Sequence, residues 1–362
     1  MLEYWNIGKM GNRRGIALIL TLTMTTLLVT TALELHRKVR SNVISTSLAR
    51  DRLMLLEMAT SGVHIGMAML IQDKLDSPTD SLQEDWANPE KLEELLGEIP
   101  FEGGTLTLHM ADEAGKIQVN ALVQPPGGRT FNEGQRLIWE RLLTWSIDQN
   151  ESLPEIDPVA VINSLKDWMD SGDDEAITGL SGAESDYYQE LEPPYSCRNG
   201  PIRHLGELLR IKDITPELFY GMDELPGISE SVTVYGLTAA GETSEPYQEG
   251  RININTADLP VLISLLPVES QDIAEAMVEY RLEKDGTEYA HDLSNPKWYQ
   301  EVPGLSGLQI EPALITTASD IFKIKAVAAK GGMEETVTTV VKREQDEKTG
   351  KWVCRILSWE TK

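Results

Sequence analysis

The chain has 362 residues, room for roughly two domains of ordinary size, and 41% of them are apolar, so a packed core is feasible and wholesale disorder is excluded. Lys and Arg total 32 against 58 Asp and Glu, a formal charge of −26 that repels nucleic acid and anionic lipid and suits cations or basic partners. The 2 cysteines, Cys197 and Cys354, form no CxxC pair, so structural zinc and thioredoxin-like chemistry lack support, while export would permit a disulfide between them.

Residues 1–15 carry Lys9, Arg13 and Arg14, with no acid after Glu3. An uncharged apolar run from Ile16 to Leu33 comes next and ends at Glu34. At 1.5 Å per residue, about 20 helical residues cross about 30 Å of hydrocarbon. The threonines of the run can bond back to carbonyls of their own helix. Basic residues ahead of the run keep the N-terminus cytoplasmic and send the rest across. Three readings of the junction compete. One is a cleaved signal peptide with Thr30-Thr31-Ala32 as its processing site, and another is an uncleaved signal anchor. The third is removal of a leader between Gly15 and Ile16, because Arg13-Arg14-Gly15 before an apolar helix resembles the prepilin processing site.

No proline occurs between Ile16 and Gln72. Past the membrane run, Val39, Val43, Leu55, Ala59, Val63 and Met67 recur at helical spacing, with Ile44, Leu48, Leu56 and Leu70 alongside. The pattern predicts one helix of up to ~57 residues, ~85 Å long, weakened in its last turns by Gly62 and Gly66. Its second half would pack on a globular body, the layout of pilin-like subunits.

In the body, a short helix is predicted near Pro89–Leu96. Gly104–Met110 alternates, and Lys116–Val119 looks like the return strand of a hairpin. Helices are predicted over 133–147, 157–169 and 204–212, and over 259–284 with a break near Pro267. Strands return at Ile321–Ala329, Glu335–Arg343 and Trp352–Trp359. Strands flanking a mainly helical middle indicate an α+β body with a helical domain inserted in it.

A weak repeat relates Gly115-Lys-Ile-Gln-Val-Asn-Ala-Leu122 to Gly250-Arg-Ile-Asn-Ile-Asn-Thr-Ala257. The stretch after the second copy resembles a helix-hairpin-helix module. However, Leu266-Pro-Val-Glu-Ser270 stands where phosphate-binding glycines belong, and Glu269 and Asp272 would face the phosphates, so the module reads as a packing unit with no nucleic-acid partner.

Between Glu151 and Tyr195 there are 12 acids and one base, Lys166. Carboxylates this dense are either solvated or neutralised by a cation. Their all-oxygen character, without His or Cys, favours Ca²⁺ over zinc, although the order of acids is not that of an EF-hand. His36, His64, His109, His204 and His291 are scattered, and no nucleophile–base constellation assembles, so no enzyme is expected.

Taken in order, several motifs resemble the K-type minor pseudopilin family of type II secretion systems. They are Arg14-Gly15-Ile16, Asp112-Glu-Ala-Gly-Lys-Ile-Gln-Val-Asn-Ala-Leu122, Asp167-Trp-Met-Asp170, Gly182-Ala-Glu184-Ser-Asp186, Pro193-Pro-Tyr195 with Asn199, and Ile252-Asn-Ile-Asn-Thr-Ala257. The resemblance implies cleavage by the prepilin peptidase after Gly15 and methylation of Ile16. It implies an inner-membrane helix with a periplasmic body, and a pilin-like fold in which the long helix packs on a small antiparallel sheet. The segments are then a leader (1–15), the long helix (16–72, with 16–35 transmembrane), the body (73–122 and 315–362) and an inserted helical domain (123–314). A structural Ca²⁺ is implied in the acidic cluster, with Asp170, Asp173, Asp174, Glu184 and Asp186 as its expected ligands. Partners would be the I-type and J-type minor pseudopilins and the major pseudopilin, met at the tip of a filament whose assembly this subunit starts. Most pilins carry glutamate at the fifth mature position, to pair with a neighbour's N-terminal amine. Leu20 stands there in this chain and marks a subunit with none above it. The rival reading is a calcium-stabilised binding protein exported on a simple anchor.

Overall fold

The computed structural model describes all residues except 1–12, 100, 102, 126–127, 151–152, 154, 173–176, 223–224, 237, 240–245 and 248–249. Its first elements are α1 (Arg13–Asp76), α2 (Pro89–Gly97), β1 (Thr105–Asp112) and β2 (Ile117–Gln118). The middle of the chain holds α3 (Glu133–Asp148), α4 (Pro158–Met169), α5 (Ser185–Gln189), β3 (Val232–Thr233), β4 (Ile252–Asn253), α6 (Leu259–Leu265) and α7 (Ala274–Leu282), among shorter turns. The chain ends with β5 (Ile315–Thr316), β6 (Ile321–Lys330), β7 (Met333–Gln345) and β8 (Trp352–Thr361).

The body is one four-stranded antiparallel sheet in the order β1-β6-β7-β8 with the second half of α1 across it. Alternation along the strands explains the packing: Phe322, Ile324, Ala326 and Ala328 of β6 and Val337 and Val341 of β7 turn inward, onto Leu55, Ala59, Val63 and Leu70 of α1. Gly62 and Gly66, weak points for helix propensity, are where α1 comes closest to the sheet. A Cβ at 62 would lie 3.1 Å from the Ala326 Cβ, and one at 66 would lie 3.1 Å from the Ile324 Cγ2. Helix propensity gives way there to a backbone-level fit against β1 and β6.

The expected hairpin between Gly104–Met110 and Lys116–Val119 does not form. β1 pairs with β6, Thr105 opposite Ala329 through to Asp112 opposite Phe322, while β2 pairs in parallel with β3. The Asp112 carboxylate accepts the Ala114 N–H at 2.7 Å and bends the chain out of the sheet. Ile117 and Gln118 are then buried on both faces, which suits a short parallel pair inside a domain rather than a half-exposed hairpin arm.

Residues between β1 and β6 form a second core. α3, α4, α6 and α7 contribute Trp139, Leu143, Leu165, Leu262 and Met277, and Trp298 and Tyr299 join from later turns. The arrangement is α+β, with the mainly helical insert between sheet strands. The two repeats form its framework and embrace each other. A Cβ on Gly115 would meet Thr256 at 2.8 Å, and one on Gly250 would meet Ala121 at 2.4 Å; Ala121 and Thr256 are the same repeat position. In each copy the fourth-position amide oxygen accepts the N–H of the sixth residue, Gln118 from Asn120 at 3.0 Å and Asn253 from Asn255 at 3.1 Å. Each sixth-position Asn then ties down a remote loop, Asn120 at Ile202 and Asn255 at Leu293 and Trp298. Each copy's strand has a parallel partner, β3 for β2 and β5 for β4.

Asp80 joins the two cores. It is fully buried, its N–H donates to the Thr317 carbonyl, and its own carbonyl accepts from Asn253 and Asn255. Its carboxylate accepts from Ser319 N at 2.8 Å and from Arg343 of β7. The two cysteines serve different cores and are not bonded to each other: the Cys197 thiol rests on the Ala183 carbonyl and that of Cys354 on the Met67 carbonyl.

Candidate metal centre and anchor helix

α1 is divided by its surroundings. Residues 16–50 are exposed along their length, and burial begins around Asp51. The exposed half contains the apolar run, with a mean hydropathy of 2.1 in its richest window, long and apolar enough to cross a membrane. Its threonines satisfy themselves as the composition suggested: Thr21 donates to the Leu18 carbonyl and Thr26 to that of Leu22, each at 2.9 Å. Gly15, Ile16 and Leu20 all lie on this half, in regular helix, with Ile16 and Leu20 exposed.

The acidic cluster is built by the last turn of α4. Three-residue spacing puts Asp167 and Asp170 on one helical face, and Glu184, just ahead of α5, comes down beside them. All three are buried, and one oxygen from each lies within 4.8 Å of the others. Asp167 accepts the Thr178 N–H at 3.0 Å, and Gly182 is pressed against it so closely that a Cβ would fall 2.0 Å from its Oδ2. Asp170 accepts the Gly172 N–H at 3.2 Å. Lys166 places its Nζ 2.8 Å from Asp170 Oδ2 and 4.0 Å from Asp167 Oδ1. Three buried carboxylates brought this close repel one another, and burying them carries a desolvation cost. Beneath the cluster, Tyr188 and Tyr195 stack and Trp168 meets both edge-on, and Asn199, in the left-handed region at φ 51°, returns its N–H to the Trp168 carbonyl. The Pro193-Pro-Tyr195 and Asn199 motif thus props the floor of the cluster.

The donor set suits Ca²⁺. With ligands at 2.3–2.6 Å from the ion, opposite oxygens stand about 5 Å apart, and hard carboxylates with neighbouring carbonyls are what that ion takes. Of the expected ligands, Asp170 and Glu184 come together, and Asp186 is exposed on α5 outside the trio. Asp173 and Asp174 lie outside the described residues. The third member is Asp167, which acid density alone does not single out, although its spacing from Asp170 places it on the same face. A second carboxylate trio, Asp73, Asp80 and Glu84, is of a different kind. The Arg343 guanidinium sits among it, 2.9 Å from Asp73 Oδ2 and bonded to Asp80, and Lys74 stands 4.0 Å from Asp80, so protein cations answer it.

Comparison with known proteins locates this architecture. Residues 115–224, which contain all three clustered carboxylates, match the family model "Type II secretion system (T2SS), protein K". The type II secretion system protein K of Klebsiella pneumoniae is 23% identical over 78% of this chain and 80% of its own length, and that of Aeromonas hydrophila is 22% identical over 92% and 94%. A chain in the crystal structure of the GspK–GspI–GspJ complex from the enterotoxigenic Escherichia coli type 2 secretion system shares the fold, with a TM-score of 0.57 at 18% identity over 88% of this chain and 99% of that one. Residues 115–224 therefore resemble the protein K domain of type II secretion systems, and over most of its length the chain resembles proteins K.

Proposed function

We propose that this chain is a minor pseudopilin that caps the tip of a type II secretion pseudopilus, starts its assembly and so supports export of folded proteins across the outer membrane. The observation that carries the reading is the division of α1: an exposed apolar half fit for a membrane or a bundle of like helices, and a half committed to the sheet of the body. The insert supports the capping position, because a domain of its bulk on the body obstructs stacking of another subunit on the same end. Leu20 supports it too. A carboxylate in lipid is costly without a partner, and a subunit with none above it has no use for one. The partners are then the I-type and J-type minor pseudopilins, as in the complex of the similar structure, and the major pseudopilin below. The role is structural rather than enzymatic. The helix resides in the inner membrane with the body in the periplasm until assembly, and Ca²⁺ held by Asp167, Asp170 and Glu184 stiffens the insert.

N-terminal sequencing of membrane-extracted protein tests the reading. A mature start at Ile16, with a methylated amine, is expected. A start at Met1 or after Ala32 would sink it in favour of a simple anchor or signal peptide.

A further inference from the structure

A cavity of about 500 Å³ opens at the seam where the two repeats meet the outer face of the sheet. Its charge runs against that of the chain. Of the 19 described residues that line it, 5 are Lys or Arg and 2 are acids, whereas the whole chain has 32 bases against 58 acids. The repeats build it symmetrically. Lys116 and Arg251, the second residues of the two copies, both line it, as do Thr233 and Thr316, which stand opposite the fourth residues Gln118 and Asn253 in the parallel pairs. Arg203 of the insert and Lys342 and Arg355 of the sheet complete the basic wall.

Part of this charge is already answered and part is not. Lys116 meets buried Glu113 at 3.0 Å. Lys342 and Arg355 share one carboxylate, Glu344, at 3.7 and 3.3 Å. Arg203 is exposed and makes no ion pair among the described residues. Leu357, set outward by the irregularity in the β7–β8 pairing, and Val234 add an apolar patch between the cations.

We propose that this cavity docks a short acidic segment of a partner protein, carboxylates meeting Arg203, Arg355 and Lys342 while an apolar side chain settles on Leu357. The volume admits a few side chains, not an extended polymer. The surrounding surface of a chain at −26 repels long polyanions, which rely on a continuous basic track, whereas a segment of a few residues feels chiefly the local field. The cavity's charge and shape are independent of the pseudopilin reading, so either can fail without the other.

The test uses the full chain in detergent micelles and a fluorescein-labelled peptide, Glu-Glu-Leu-Asp-Glu-Leu, with Gln-Gln-Leu-Asn-Gln-Leu as the neutral control. The acidic peptide is expected to bind at least about tenfold more tightly than the neutral one, and Arg203→Glu with Arg355→Glu to lose about tenfold or more. Lys284→Glu with Lys297→Glu, equal in charge change and remote from the cavity, should leave affinity within about twofold, separating the local site from net charge. Equal binding of both peptides, indifference to the Arg203/Arg355 reversal, or stronger capture of a short DNA duplex than of the peptide would overturn the proposal.

Discussion

Arg343→Met removes a cation from the point where α1, the sheet and the insert meet. The guanidinium is buried, 1% exposed, and donates to the Leu70 carbonyl at 3.0 Å, the Asp73 carboxylate at 2.9 Å, the Asp80 carboxylate and the Ser319 carbonyl at 2.6 Å. Met fills much of the volume but leaves two carboxylates and two carbonyls without their donor. Removing one partner of a buried ion pair costs about 3–5 kcal/mol, because the remaining charge is stranded. For a protein of this size that lowers Tm by roughly 4–7 °C. The loss should depend on pH, with a sign that comes from Asp73. Burial, then the charges of Glu84 and Asp80, push its pKa up to about 7 even with Arg343 pulling it down. A carboxylate raised in the folded state destabilises above its folded pKa, and that penalty is relieved as pH falls towards its unfolded value. Without Arg343 the penalty above neutrality grows, so the variant's deficit is larger at about pH 8 than at about pH 5. Thermal melts of the full chain in micelles, followed by circular dichroism at both pH values, check this. A deficit under about 1 kcal/mol, or one that grows on acidification, would refute the reasoning.

Three further outcomes are expected. Gly62→Leu overpacks α1 against Ala326 and Leu106 and should cost about 1–3 kcal/mol in the same melts, whereas Gly97→Ala, with open space around its Cβ, should be neutral. Chelation should lower the melting temperature of the wild type; Asp170→Asn or Glu184→Gln should abolish that increment and Asp186→Asn should preserve it, and a metal-free sample melting as the loaded one would count against the calcium reading. Asp112 is buried against Asn253, Thr256 and Ala114, and desolvation pushes its pKa up to about 6. Its folded pKa is raised, so wild-type stability falls as pH rises from about 4 through about 6, by roughly 3 kcal/mol for this group, and Asp112→Asn should flatten that slope.

The sequence carried periodic information well and pairing information poorly. α3 and α4 were legible from apolar spacing, and β6 to β8 from alternation closed by Gly331-Gly332 and Lys348-Thr-Gly350, since all these signals lie within one element or one turn. The partner of β1 was not legible, because it lies beyond the whole insert and local alternation carries no register across such a distance. Gly62 and Gly66 misled for a similar reason: propensity sees a weak helix, while the strand that requires them is a tertiary neighbour. In the acidic cluster, density pointed to the loop and helical spacing to its face. Which carboxylates converge depended on how the chain folds back to bring Glu184 beside α4, and a count of acids between Glu151 and Tyr195 cannot report that.

The repeat is where local and tertiary signals meet. Read as sequence it was a faint echo with an abortive nucleic-acid module behind it. In the fold its fourth and sixth residues lock each copy, and its first and seventh residues lock the copies together. The second copy then reaches out of the insert: Asn253 bonds both Asp80 and Asp112, and Asn255 bonds Asp80. Asp80 is also held by Arg343 from the sheet, and Asp112 ends β1. The insert is therefore not tethered by two flexible strands of chain at its base. A chain of buried polar bonds, each costly to leave unmade, runs from the repeat through Asp80 to Arg343 and α1. Force or displacement applied to the insert is passed to the long helix through that chain, which is what a subunit needs if contacts made by its bulky domain are to position its helix among others.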